Sequence, residues 1–274
     1  MKCDLHCHTR RSDGSLLEDE LVQIAKLSKL DGLAITDHDV YTNIALAKEL
    51  EKKYDIKILH GTEISGFDYN KNRLVHVLCY MSKEPEKLSP MFKDITKRRE
   101  EEVSRVLEMV VKLYPITEKM VRERAKHSET LFKQHIMETL VDVGYSDKIY
   151  SELHTYLFNS KTGIAKTSIV YPDVFDVLEE IKNSKGIPVL AHPTIYDSVE
   201  LIPELSKRGL KGIELYYPRI DSSRYDDMLN FSKEFDLIRT GGTDFHGGMT
   251  NKVMPIGTCT TPEEEYKRLI SLIE

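Results

Sequence analysis

Histidine and carboxylate side chains recur at one kind of position in this sequence, at or just beyond the ends of short apolar runs. Six of the ten histidines lie there. The segments that carry them are His6-Cys7-His8, Asp37-His38-Asp39, His76, His192-Pro193 and Asp244-Phe245-His246. Neutral imidazole together with carboxylate suits Zn²⁺, Mn²⁺ and Fe²⁺. His6 and His8 would lie on one face of a strand, because alternate strand residues point the same way.

The candidate ligands are too many for a single cation, and we predict two or three. They are His6, His8, Asp13, His38, Glu63, His76, His192, Asp244 and His246. Taken alone, each has a simpler explanation, since a single strand histidine is commonly a core residue and Asp13-Gly14 is an ordinary turn. Their joint placement favours a metal centre, in which the two oxygens of Glu63 could bridge two cations.

Seven apolar runs that must position these residues are predicted to be strands. They are Cys3–His6, Gly32–Thr36, Ile56–His60, Leu74–Tyr80, Ile187–Ala191, Gly212–Tyr216 and Leu237–Thr240. Amphipathic stretches such as Leu17–Leu30 and Val174–Asn183 separate them, and this alternation favours a mainly parallel sheet, open or closed into a barrel. Asp68–Arg73 is typical of a hairpin turn between two antiparallel strands. Ligand sites of parallel sheets lie at the carboxyl ends of the strands, where these histidines fall.

One region interrupts the alternation. From about residue 84 to about residue 161 the pattern is helical almost throughout. We therefore predict a helical insertion over 91–164 that covers the substrate, and a barrel formed by 1–90 and 165–274.

Composition excludes several classes of protein. Lys and Arg number 39 and Asp and Glu 45, a net charge of −6, which argues against stable binding of double-stranded DNA. No apolar run approaches the roughly 20 residues that span a bilayer, and the first residues do not resemble a secretory signal. The four cysteines show no disulfide framework, so we expect reduced thiols in a cytoplasmic protein without membrane partners. Cys3 and Cys7 flank candidate ligands and are expected to be small packed residues.

Jointly, the motifs resemble those of the PHP family, the polymerase and histidinol phosphatase domain. The matching segments are Asp4-Leu5-His6-Cys7-His8-Thr9, Ser12-Asp13-Gly14, Thr36-Asp37-His38-Asp39, Gly61-Thr62-Glu63-Ile64-Ser65, His76-Val77-Leu78, Leu190-Ala191-His192-Pro193 and Gly241-Gly242-Thr243-Asp244-Phe245-His246-Gly247. The resemblance implies an α/β fold, a distorted seven-stranded (β/α) TIM-like barrel with a helical insertion domain. It also implies a metal-dependent phosphoesterase.

The resemblance implies three cation sites. The first would use His6, His8, Glu63 and Asp244, the second Glu63, His76 and His192, and the third Asp13, His38 and His246. Mn²⁺ is favoured, with Zn²⁺, Fe²⁺ and Mg²⁺ as alternatives. Catalytic roles fall to Glu63, Asp244 and His192, around a cation-activated hydroxide that attacks phosphorus in line. Asp4, Asp37 and Asp39 are expected to orient the histidine rings without binding a cation themselves.

The expected substrate is a small nucleotide. Asp13 stands where histidinol phosphatase-like members have histidine, which favours the branch that hydrolyses nucleoside 3′,5′-bisphosphates or trims short RNA from the 5′ end. The Gly-Arg-Pro-His-Ile motif of that branch corresponds to Phe132-Lys133-Gln134-His135-Ile136, so lysine replaces the arginine. Expected substrate contacts are Arg99, Lys133, His135 and Arg219. The alternatives are a phosphatase for histidinol phosphate or another small metabolite, and a non-catalytic accessory module, against which the complete ligand set argues.

Overall fold

Seven strands form one sheet in which neighbours along the chain are neighbours in space. The computed structural model describes residues 1–250 and 254–273. The strands are β1 Cys3–Cys7, β2 Gly32–Ile35, β3 Lys57–Asp68, β4 Arg73–Tyr80, β5 Ile187–Leu190, β6 Gly212–Tyr216 and β7 Ile238–Gly241. All neighbours pair in parallel except β4, which is antiparallel to both β3 and β5. The predicted alternation and the predicted reversal at the hairpin are both confirmed.

The sheet nearly closes into a barrel beside β1. The backbone N–H of His8 donates to the carbonyl of Phe245 over 2.8 Å, and the N–H of Phe245 donates to the carbonyl of His6 over 3.2 Å. The segment that follows β7 therefore runs along the end of β1, which confirms the expected α/β barrel. Helices lie between most strands. They are α1 Glu18–Leu27, α2 Ile44–Tyr54, α3 Ser89–Leu113, α4 Glu118–Arg124, α5 Lys133–Asp142, α6 Glu152–Phe158, α7 Val174–Asn183, α8 Ile202–Lys207, α9 Tyr225–Glu234 and α10 Glu263–Ser271.

The third strand is longer than the sequence pattern indicated. The apolar run predicted an end at His60, whereas β3 continues to Asp68 because it pairs with β4 from Gly61 onward. The carboxylate of Asp68 closes the hairpin by accepting a hydrogen bond from Arg73 Nε over 3.0 Å. Glu63, three residues beyond the predicted end of this strand, therefore lies inside it.

Helix α3 connects two separate cores. Phe92 and Ile95, in its first half, pack in an apolar cluster of the barrel. Val103 and Val106, in its second half, pack in a cluster formed mainly by the helical region. The insertion thus shares one rigid helix with the barrel, and the boundaries 91–164 remain a prediction.

Among the described residues, no helix is both long and apolar enough to cross a bilayer. The four cysteines are free thiols, and three of them are buried. Cys3 and Cys7 pack among apolar side chains, as the sequence led us to expect.

Candidate metal centre

The end of β1 carries the first group of predicted ligands. His6 Nε2 and His8 Nε2 lie 3.1 and 3.2 Å from the same oxygen of Glu63, Oε2. Asp244, from the loop after β7, places Oδ1 3.3 Å from His8 Nε2. These four residues offer ligand atoms that all lie within 4.8 Å of one another.

The other oxygen of Glu63 faces a different pair of histidines. Its Oε1 lies 2.8 Å from His76 Nδ1 and 2.8 Å from His192 Nε2. His38 also approaches, with Nδ1 3.3 Å from Glu63 Oε2. The two oxygens of Glu63 therefore face different histidines, and the predicted bridge between two cations stays a prediction.

A third group lies towards the helical insertion. Asp13 Oδ1 lies 3.3 Å from His246 Nε2 and 3.9 Å from His38 Nε2. The ligand atoms of these residues and of His8 form one compact set. His38 thus has one ring nitrogen directed to this group and the other to Glu63, so the structure brings all nine predicted ligands together.

The donor atoms suit divalent cations. His6 Nε2, His8 Nε2, Asp13 Oδ1 and His38 Nδ1 are buried and have no hydrogen-bond partner in the described part of the chain. Buried polar atoms are rarely left unpaired, so these atoms require another partner. Ligands about 2.1 Å from one cation at about 90–110° lie roughly 3.0–3.4 Å apart, and several of the contacts above fall in that range.

The charges of the centre are strongly coupled. Burial alone would raise the pKa of Glu63, but the surrounding histidines, His6 foremost, hold it well below its usual range. Burial likewise opposes ionisation of Asp244, yet His246 and His6 hold its pKa well below the ordinary value. Both carboxylates are therefore ionised at neutral pH, as cation ligands must be.

Glu214, a fully buried carboxylate on β6, also belongs to the centre and was not predicted from the sequence. Its Oε1 lies 3.1 Å from His6 Nδ1, and its Oε2 accepts the backbone N–H of His192 over 2.9 Å. The first contact fixes the ring of His6 and leaves Nε2 directed at the centre. A signal was available, because a carboxylate between Ile213 and Leu215 in an apolar strand is almost never buried without a partner.

Two aspartates hold the loops of the centre. Asp37 accepts hydrogen bonds from the backbone N–H of Thr9 over 2.7 Å and from Ser12 Oγ over 2.6 Å. Asp4 accepts the N–H of Thr243 over 2.8 Å. We expected these carboxylates to orient histidine rings, but in the described chain neither bonds to an imidazole. They fix the backbone from which the ligands project.

Two predicted ligands adopt left-handed backbone conformations, with φ of 27° at His192 and 51° at Asp244. Such conformations cost a non-glycine residue about 1–3 kcal/mol and persist where the surroundings enforce them. Glu214 holds the N–H of His192, and Arg219 Nη2 holds Asp244 Oδ2 over 2.7 Å. These contacts hold both residues in conformations that they would not readily adopt alone.

A cavity of about 420 Å³ separates the centre from the insertion. The barrel contributes Asp13, His38, Ser65, Phe67, Leu74, His76 and Tyr196 to its wall. The helical region and the segment after it contribute Arg99, Val103, Phe132, Lys133, Gln134, Phe158, Ser160, Thr167, Ser168, Ile169 and Tyr171. The wall thus combines cation ligands, two basic side chains and several aromatic rings.

Arg99 is the basic residue set deepest in this cavity, with 4% of its surface exposed. Its Nη2 pairs with Asp39 and donates to Ser65 Oγ over 3.2 Å, and its guanidinium lies 4.7 Å from the ring centre of Phe132. Nη1 is buried and has no hydrogen-bond partner in the described chain. Asp39 therefore holds an arginine rather than a histidine ring, and one donor of that arginine is uncommitted.

The other three predicted substrate contacts differ in position. Lys133 lines the cavity, and burial lowers the pKa of its ammonium group. His135 is buried one turn away, where its Nδ1 accepts the N–H of Phe132 over 3.1 Å. Arg219 is not part of the cavity wall; two thirds of its side chain is exposed, and it contacts Asp244.

Comparisons with known proteins agree with this site. The PHP domain family matches residues 4–186. A phosphoribosyl 1,2-cyclic phosphate 1,2-diphosphodiesterase of Eggerthella lenta is 30% identical, covering 89% of this chain and 94% of that protein. A 3′,5′-nucleoside bisphosphate phosphatase of Chromobacterium violaceum is 28% identical, covering 89% and 86%. A solved structure from Bifidobacterium adolescentis, assigned as a metal-dependent phosphoesterase, superposes with a TM-score of 0.89 at 26% identity, covering 98% of this chain and 96% of that one.

The chain therefore belongs to the PHP domain family, as its motifs indicated. It is a hydrolase that acts on phosphoric ester bonds, with a cluster of histidines and carboxylates suited to metal.

Proposed function

We propose that this phosphoesterase removes a phosphomonoester from a small nucleotide, a nucleoside 3′,5′-bisphosphate or a monophosphate. The observation that carries the proposal is the buried, unpaired Nη1 of Arg99 in a cavity whose opposite wall is the ligand cluster. A guanidinium held on one side by Asp39 and open on the other is suited to bind a phosphate oxygen.

We assign the cations to three sites. His6, His8, Glu63 and Asp244 would hold the first, Glu63, His76 and His192 the second, and Asp13, His38 and His246 the third. The mixture of imidazole nitrogen and carboxylate oxygen suits Mn²⁺, Zn²⁺ and Fe²⁺, and Asp13 in place of a histidine favours the harder Mn²⁺ at the third site. Bound divalent cations lower the pKa of water towards neutrality and offset the charge of the phosphoryl group.

The protein's own residues orient the reaction. Glu63, whose two oxygens face different histidines, would hold the first two cations together, and with Asp244 and His192 it would orient the reacting phosphate. Glu214 fixes the ring of His6 and the backbone of His192. The insertion covers the cavity, which limits the access of bulk water and strengthens the electrostatic contacts inside.

The names of the two relatives support a substrate with two phosphate groups. A nucleoside 3′,5′-bisphosphate and a phosphoribosyl cyclic phosphate each carry two on a ribose. In this chain the ligand cluster would take the reacting phosphate, while Arg99 and Lys133 would bind the other. The rings of Phe132 and Tyr171 beside them offer faces for a base to stack on.

A second candidate is hydrolysis of a ribosyl cyclic phosphodiester. It is favoured by the 30% identity with the Eggerthella lenta diesterase, which this chain matches over nearly its whole length. The same site would serve, because a cation cluster can act on a diester as on a monoester.

We also propose a cytoplasmic location, since the three buried thiols are suited to a reducing compartment.

The test measures, with Mn²⁺, the release of phosphate from nucleoside 3′,5′-bisphosphates, nucleoside monophosphates and histidinol phosphate. For phosphoribosyl cyclic phosphate it measures, by chromatography, the phosphomonoester formed when one ester bond of the ring is hydrolysed. We expect the bisphosphate to be preferred and His8→Ala and Asp244→Ala to abolish release. If the cyclic diester is cleaved far faster, the second candidate replaces the first. If no substrate exceeds the two inactive variants, both are refuted.

Arg99→Lys tests the second phosphate position. The change keeps the charge but removes the forked donors, so we expect KM for the bisphosphate to rise about tenfold, the effect of one lost charge-assisted hydrogen bond. KM for a monophosphate should change much less. Arg98→Lys is the matched control, because Arg98 is an exposed neighbour that pairs with Asp94. Equal KM values for both variants would contradict the assignment of Arg99.

A further inference from the structure

We infer that Gln134 is a positioning residue through which the helical insertion sets the third cation site. The inference rests on the proposed assignment of Asp13, His38 and His246 to that site. Gln134 lies near the start of α5, whereas Asp13 lies on the barrel loop after β1. The contact between them joins the two parts of the molecule at the centre itself.

The two oxygens of Asp13 have different surroundings. Gln134 Nε2 donates to Oδ2 over 3.0 Å. Oδ1 is buried, has no hydrogen-bond partner in the described chain and lies 3.3 Å from His246 Nε2. The amide therefore occupies one oxygen and turns the other towards the proposed ligands.

Gln134 is itself held in place from within the insertion. Its Nε2 also donates to the hydroxyl of Tyr150 over 3.1 Å. Tyr150 belongs to the segment that precedes α6, so two parts of the insertion fix one amide. On the barrel side, Asp37 holds Ser12, the residue before Asp13. A hydrogen bond between two such anchored groups fixes the orientation of the carboxylate.

The chemistry of the side chain matters as much as its position. An amide donates a hydrogen bond without bringing a positive charge, so Asp13 keeps its full negative charge for a cation. Arg219, by contrast, neutralises part of the charge of Asp244 at the first site. The residue that contacts Asp13 thus combines rigidity with electrical neutrality.

The experiment counts bound Mn²⁺ by equilibrium dialysis over a range of free Mn²⁺, with phosphate release measured in parallel. The variants are Gln134→Ala, Gln134→Met, which keeps the volume but removes the donor, and Asp13→Asn. Gln23→Ala is the matched control, because Gln23 is an exposed glutamine of α1. Wild type and the control should bind the same number of ions.

We expect both Gln134 variants to weaken the binding of one ion by about 10- to 100-fold, the usual effect of removing such a partner, and to leave the others unchanged. Asp13→Asn should lose the same ion. If Asp13→Asn loses an ion while both Gln134 variants bind as wild type does, the role of Gln134 is refuted and the third site stands. If Asp13→Asn retains every ion, the assignment of the third site is refuted, and the role of Gln134 is refuted with it.

Discussion

At the scale of single residues, carboxylates with two partners each hold the centre together. Glu63 contacts His76 and His192 through Oε1 and His6 through Oε2. Glu214 contacts the imidazole ring of His6 and the backbone N–H of His192. Because each carboxylate serves several partners, the effects of substitutions here should not add.

The first prediction concerns Glu214. Glu214→Ala would leave His6 Nδ1 and the backbone N–H of His192 buried without an acceptor, which costs about 1–3 kcal/mol for each group. We expect a lower melting temperature and weaker Mn²⁺ binding. Glu214→Gln retains one acceptor and should be affected less in both respects. Glu234→Gln, an exposed change on α9, is the control. Wild-type Mn²⁺ affinity in Glu214→Ala would contradict the prediction.

The second prediction concerns protons released by His8. Burial lowers the pKa of His8, but the nearby carboxylates of Asp244 and Glu63 outweigh it and raise the pKa to about 10. In protein prepared without metal, this ring is therefore protonated at neutral pH. A cation and that proton compete for the same nitrogen, so apparent affinity should increase as pH rises towards this pKa.

Calorimetric titration of Mn²⁺ in two buffers of different ionisation enthalpy measures the protons released. We expect at least one proton per protein at neutral pH. His38 should release no proton. Its pKa is lowered to about 3, mainly by burial, so its ring is already neutral before the cation binds. A heat that is independent of the buffer would show that no proton leaves.

Residue types near the apolar runs allowed the nine residues that converge at the centre to be singled out, because their positions along the chain are a local pattern. Glu214 and Gln134 could not be assigned in that way. Glu214 lies 208 residues from His6 along the chain, and Gln134 lies 121 residues from Asp13. Their roles depend on which side chains the fold brings together across elements, and no local pattern contains that information.

At the scale of elements, the sequence pattern placed the ends of the strands in the described residues to within one residue, with the exception of the end of β3. The local pattern sufficed for β2 and β5 because both are short runs of apolar residues. The extension of β3 to Asp68 depends on pairing with β4, and a local apolar pattern does not report pairing. That extension places Glu63 rigidly in the sheet rather than in a loop, which suits a bridging ligand.

The third prediction concerns the contact between β1 and the residue after β7. A Cβ added at Gly242 would lie 2.4 Å from His6 Cβ and 2.5 Å from His6 N, so Gly242→Ala must displace β1. Such overpacking costs about 1–3 kcal/mol, and it should also move His6 away from Glu63. We expect a lower urea midpoint and a loss of bound Mn²⁺.

Gly248→Ala is the matched control for this change. At Gly248 the nearest atom to an added Cβ is Ser15 Oγ at 3.9 Å, which is an ordinary contact. This variant should unfold and bind metal as wild type does. Equal stability of the two alanine variants would show that the sheet can yield at Gly242.

At the scale of the whole molecule, the predicted ligands come from segments between the first strand of the barrel and the loop after its last strand. They extend from His6 to His246 along the chain and come together only when the sheet is complete. Three dications would bring about six positive charges to the centre and so would offset the net charge of −6. Metal binding should therefore be linked to the folding of the entire barrel.

The fourth prediction follows from that linkage. A ligand that binds only the folded chain stabilises it by RT ln(1 + [L]/Kd), about 2.7 kcal/mol at a hundredfold excess over Kd. We expect Mn²⁺ to raise the melting temperature of metal-free protein by several degrees, and a chelator to reverse the rise. Asp244→Asn should lose most of this response. His127→Asn, which changes an exposed histidine of the insertion, should keep it in full. If Mn²⁺ stabilises Asp244→Asn as strongly as it stabilises His127→Asn, the cation that matters for stability binds elsewhere.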